Sequence, residues 1–172
     1  MQPLKTIDDY VFRGINIINQ AWNYTTGGTK TDLCYLLLGI SVAANLARSL
    51  PKGNNGWAAF NLFVSGTIAY NAKIIEEKEK IVSKGLLDIE AERLKKLYKF
   101  LGYTIASLTS ISLLVDRTEN YKDQTLHYLD NATFALGLLM INADPLPPQK
   151  DCISRGIDKL TKMIKKYKPA LV

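Results

Sequence analysis

Histidine and cysteine are nearly absent from this chain: there is one histidine, His127, and two cysteines, Cys34 and Cys152, far apart. Two isolated cysteines make neither a disulfide framework nor a zinc-ligand spacing, and Cys34, inside an apolar run, reads as a buried thiol. A phosphate-cradling loop is also missing. The stretch TTGGTKTD (residues 25–32) has Gly28 and Lys30 separated by Thr29, no glycine at the required upstream position, and a helical pattern before it. Its glycines are expected to end one helix, Thr29 or Thr31 to cap the next, and Asp32 to sit at that helix's positive end. No nucleophile elbow, dinucleotide fingerprint or pair of catalytic carboxylates is present, so no cofactor is expected and no enzymatic activity is evident.

Long hydrophobic runs are scarce as well, since the mean hydropathy is −0.03. Four uncharged stretches stand out: 33–47, 53–72, 100–115 and 131–143, with 15, 20, 16 and 13 residues. A membrane span takes about 20 mainly apolar residues, so three of the four are short. Their angular pattern points the other way. In FLGYTIASLTSISLLV (100–115) the hydroxyl residues are scattered around the helix, and a helix with no wet face lies in a core or in lipid. Small and hydroxyl residues such as Gly39, Ser41, Ser65, Gly66 and Gly137 suit close helix packing in either setting.

The expected fold is a single all-α domain over 1–172, a bundle of about six helices. An amphipathic helix is expected at 6–22, opened by a capping box at Thr6-Ile7-Asp8-Asp9, with Ile7, Tyr10, Val11, Ile15, Ile18, Ala21 and Trp22 on its apolar stripe. Two hairpins follow, 32–49 with 57–84 and 88–116 with 123–144, read as four transmembrane spans. The charged middle connection turns near Gly85, with Asp88 capping the returning helix. Prolines in DPLPPQKD stop the fourth stretch. The last helix, 151–167, is basic and amphipathic, with Ile153, Ile157, Leu160, Ile164 and Tyr167 opposite the lysines. Asp8 and Asp9 break any basic-then-apolar leader pattern, so insertion is expected to use an internal segment.

Charge placement gives an orientation. Of the 22 basic residues, all but Arg48, Lys52, Arg117 and Lys122 fall on the side of the N-terminus, middle connection and C-terminus. The positive-inside tendency makes both termini cytoplasmic. The net charge of +6 by itself selects no partner.

Two groups of polar residues are candidate sites. Asp123, His127 and Asp130 stand at i−4 and i+3 around the histidine and share a helical face, although one helix offers too few ligands for a closed metal site. If that helix enters lipid, Asp130 becomes a functional carboxylate. Lys159, Lys162, Lys165 and Lys166 could meet anionic headgroups, whereas nucleic acid would call for aromatics interleaved with them. The expected function is that of an integral membrane protein working as a structural or interaction subunit of a membrane complex, with lipid and protein partners and no small molecule assigned. The alternative is a cytoplasmic soluble helical bundle acting as an adaptor, with its two long helices, 57–84 and 88–116, packed antiparallel and Asn61 and Asn71 facing water or paired.

Overall fold

The computed structural model describes residues 2–81, 89–115, 121–147 and 149–167, with side chains described over 6–79, 89–115, 122–147 and 149–163. The expected turn at Gly85 and cap at Asp88 lie outside these residues. Six α-helices are present among them: α1 (Gln2–Thr26), α2 (Lys30–Ser49), α3 (Asn55–Ile81), α4 (Ile89–Val115), α5 (Tyr121–Met140) and α6 (Cys152–Tyr167). A single 3-10 turn, Leu50–Lys52 with Pro51, joins α2 to α3.

Local chemistry accounts for the helix ends. Thr29 caps α2 in a reciprocal box with Asp32: each backbone N–H is taken by the other residue's side chain. Gly27 sits at φ +76, a left-handed conformation that suits glycine, and a Cβ there would stand 2.1 Å from Gln149 O. At the same end of the bundle α5 stops at Met140, four residues short of the expected 144, because the chain turns at 141–143 before the prolines.

The centre of the fold is the antiparallel pair α2 and α5, with α3 packed on α2 and α4 on α5. Cys34 against Gly137, Ser41 against Asp130 and Arg48 against His127 mark the register. Gly102 lets α4 approach α5 closely, since a Cβ there would fall 2.8 Å from Leu139 Cγ. The core gathers Ile15, Leu33, Leu38, Ile68, Ile75 and Leu138, with neighbours from α1 to α5. Cys34 is fully buried within it, its thiol donating to Gly137 O. The long helices α3 and α4 meet through side-chain bridges rather than close backbone approach: Asn71 Nδ2 donates to Tyr98 Oη at 2.6 Å, and Lys95 pairs with Glu79.

Two expectations need correction. Among the described residues only Lys30–Lys52 and Ile89–Val115 are long and apolar enough to cross a membrane, so four spans are not supported. Polar residues dilute α3, among them Asn61, Ser65, Asn71, Glu76, Lys78 and Glu79, all buried or half-buried, while Asp130 and the turn at 141 shorten the apolar part of α5. Helix α1 also differs from the expected stripe. It is already helical at Thr6, so no capping box opens there, and Ile7, Tyr10 and Ile18 are exposed.

The face that α1 turns inward includes Ile15, Asn19 and Asn23. Asn16, Asn19 and Asn23 recur at helical spacing and bind the segment after α5. Asn16 exchanges two hydrogen bonds with Asp144, Asn19 Nδ2 donates to Asp144 O, and Asn23 Nδ2 donates to Pro147 O and Gly28 O. Near its start, Asp8 takes hydrogen bonds from Lys99 Nζ at 2.6 Å and Tyr103 Oη at 2.7 Å.

That latch makes a pH prediction. Burial pushes the Asp8 carboxyl up, but the Lys99 and Tyr103 bonds outweigh it and hold the group below its ordinary 3.8. A lowered folded pKa stabilises above the unfolded value and is lost as pH falls through the folded one. Amide resonances of α1 titrated by NMR should therefore be flat at neutral pH and move with a midpoint below 3.8. The Asp8→Asn variant should show no such step; a midpoint above 3.8 in the unaltered protein would contradict the latch.

Candidate functional site

Along α2, Ser41, Asn45 and Ser49 recur every fourth residue on one face, and all three are buried. They meet Asp130 of α5, which is only 4% exposed. Ser41 Oγ donates to Asp130 Oδ1 at 2.6 Å, Asn45 Nδ2 donates to Oδ2 at 2.9 Å, and Ser49 Oγ donates to Asn45 Oδ1. A buried carboxylate is costly unless its oxygens are satisfied, and two donors from the facing helix do so here.

One turn before Asp130 lies His127, whose Nδ1 is approached by Arg48 Nη1. Asn131 Nδ2 lies 3.2 Å from Nε2.

These residues form one wall of a cavity of about 340 Å³ between α2, α3, α4 and α5. Arg48, Asn61, His127, Asp130 and Asn131 supply its polar side; Trp57, Phe60, Val64, Ile105 and Phe134 supply the apolar one. Trp57 and Phe60, both about half exposed, stack with centroids 5.5 Å apart. Among the described residues, Asn61 Oδ1 is buried without a hydrogen-bond partner, and so is Ser65 Oγ one turn along α3.

Of the three residues expected to share a face, His127 and Asp130 do line one cavity. Asp123 does not join them. It reaches outward to Lys52 Nζ at 2.5 Å, which holds its carboxyl below the usual range. Arg48, Ser41 and Asn45 were not anticipated as site residues; the four-residue recurrence of polar groups inside an apolar stretch was the sequence feature that marked them.

A second buried polar cluster sits at the opposite end of α2. Lys30 is 3% exposed and its Nζ meets Glu79 at 2.6 Å, Ala143 O at 2.8 Å and Ile141 O at 3.2 Å. Glu79 also pairs with Lys95, and Thr29 Oγ1 donates to Glu76. The TTGGTKTD stretch thus caps a helix and plants a lysine inside the bundle.

On α6, Ile153, Ile157 and Leu160 of the expected stripe are exposed, as are Met163, Lys159 and Lys162, while the side chains of Ile164 and Tyr167 lie outside the described residues. Lys165 and Lys166 fall in the last turn of the helix, where side chains lie outside the described residues. The helix is fixed at its start by Asp151, which accepts from Ser154 N, and Arg155 donates to Tyr24 O of α1.

No family model, curated protein or solved structure matches this chain, and the functional reading rests on the geometry alone.

Proposed function

We propose that this protein is a membrane-embedded helical bundle serving as a non-catalytic interaction subunit of a membrane complex. One observation carries the reading: α4 is apolar enough to span, yet only 11% of its apolar window is buried by the rest of the chain. Phe100, Leu108, Ile111, Leu113, Leu114 and Val115 all face outward. A contiguous apolar surface of this kind needs lipid or a partner to cover it. Helix α2 lies in the second segment long and apolar enough to cross, Lys30–Lys52.

In this arrangement α3 and α5 turn their polar residues toward α2 and α4, where Asn71 and Asp130 have partners. Both termini lie on the cytoplasmic side, following the distribution of basic residues. There α6 lies along the surface with its apolar stripe in the headgroup region and its lysines toward anionic lipid.

The second reading is a soluble adaptor whose α4 face docks a protein, favoured by the near-zero mean hydropathy and by only two helices reaching spanning length and apolarity among the described residues. An alkaline carbonate wash of membranes from expressing cells separates the two. Retention in the washed pellet, with release by detergent alone, is the expected outcome. A monodisperse protein in the supernatant would overturn the membrane reading and leave the adaptor.

A further inference from the structure

We infer that the cavity bounded by Arg48, Asn61, His127 and Asp130 is a binding site for a small uncharged amphiphile, an aryl amide or alcohol of one or two rings. The inference concerns the interior of the bundle and does not depend on whether lipid or a partner covers α4.

Size comes first. The volume of about 340 Å³ falls within the range of ligand pockets, roughly 300–1,000 Å³. An apolar cavity of about 150 Å³ takes one benzene ring, so a two-ring body with a short head group fits here. Trp57, Phe60, Val64, Ile105 and Phe134 offer the apolar and aromatic surface that such a body needs.

Charge narrows the class. Arg48 and Asp130 carry opposite formal charges and line the same cavity, with the guanidinium turned to the His127 ring and the carboxylate to Ser41 and Asn45. The polar wall is therefore balanced already. A ligand of either sign would bring an uncompensated charge into a mostly apolar cavity, which costs more than its new contacts return. Asp130 in particular is poorly placed to hold a cation, since both of its oxygens are engaged by Ser41 and Asn45.

Hydrogen bonding sets the head group. Asn61 Oδ1 is an acceptor shut away from water with no partner, and such groups in folded proteins ordinarily have one. A ligand N–H or O–H supplies it after a small rotation of the amide. Arg48 retains donors beyond the one facing His127, so the same head group should also accept. Amides and hydroxyls do both.

The test uses a charge series on one ring system: 2-naphthamide, 2-naphthoate, 2-naphthylmethylammonium and naphthalene. Binding to the purified full chain is read by energy transfer from Trp57 in a Trp22→Phe background. The expected result is that 2-naphthamide binds at least tenfold more tightly than either ion and more tightly than naphthalene. Val64→Phe, which fills the cavity, should abolish transfer. Should that variant misfold, Asn61→Leu serves instead and should bring the amide and naphthalene within about twofold of each other. Tightest binding by the carboxylate or by the ammonium would overturn the proposal, as would amide binding that survives both Val64→Phe and Asn61→Leu.

Discussion

Replacing Lys30 with methionine is expected to lower the unfolding free energy by about 3–5 kcal/mol, the range for breaking a buried ion pair from one side. The substitution keeps most of the side-chain volume, so the loss is electrostatic. It leaves Glu79, whose side chain is 5% exposed, with Lys95 alone, and it strips the carbonyls of Ile141 and Ala143 of their donor. The double variant Lys30→Met/Glu79→Met should recover much of that loss. It removes both buried charges, and Lys95, which is already partly exposed, is free to extend into solvent. Thermal and denaturant unfolding followed by circular dichroism would measure both, and the coupling between them is the readout. If Lys30→Met unfolds within about 1 kcal/mol of the unaltered protein, the buried network is not contributing as its geometry implies.

A second large effect is expected at Asp130. Asp130→Leu leaves Ser41 Oγ and Asn45 Nδ2 buried with no acceptor, at about 1–3 kcal/mol for each donor so orphaned. Asp130→Asn should cost less. It keeps an oxygen for one donor, and Asn45 can turn its own amide so that its oxygen meets the new NH₂ group, although Ser49 Oγ must then find another partner. The ordering of the two variants is the informative part. If Asn proved as damaging as Leu, the charge of Asp130, and not its hydrogen bonds to α2, would be what the bundle requires.

That the chain folds as six helices was legible, because the Thr29–Asp32 box and Gly27 act over a few residues, but the ends were less so: α1 runs from Gln2 to Thr26 and α5 stops at Met140, ahead of the prolines. The inward face of α1 was not legible, because its partner is the backbone of a distant segment rather than an apolar surface. Counting apolar residues therefore favoured Ile7 and Tyr10 over Asn19 and Asn23, the reverse of what is buried. Lys30 was hidden for a related reason. A lysine beside glycines and threonines looks like a loop residue until the carboxylate that neutralises it arrives from α3.

The polar site was half legible. Helical spacing does place Asp123, His127 and Asp130 on one side of α5, but seven residues of helix rise about 10 Å, enough to carry Asp123 out to the rim, where it meets Lys52. Helical spacing within α5 could not supply Arg48, Ser41 and Asn45, which belong to another helix. Their position depends on the antiparallel register of α2 and α5, a long-range property.

The asparagine face of α1 has a consequence for the order of assembly. Asn16, Asn19 and Asn23 find their partners mainly at Asp144 and Pro147, more than 120 residues further along the chain. While the chain is being synthesised, these bonds to Asp144 and Pro147 cannot form until the segment after α5 has been made, although Asp8 of the same helix already has Lys99 and Tyr103 of α4 to meet. The Asp8 end of α1 is therefore able to settle on α4 first, and the asparagine end of the same helix closes only when residues 144–147 have followed α5.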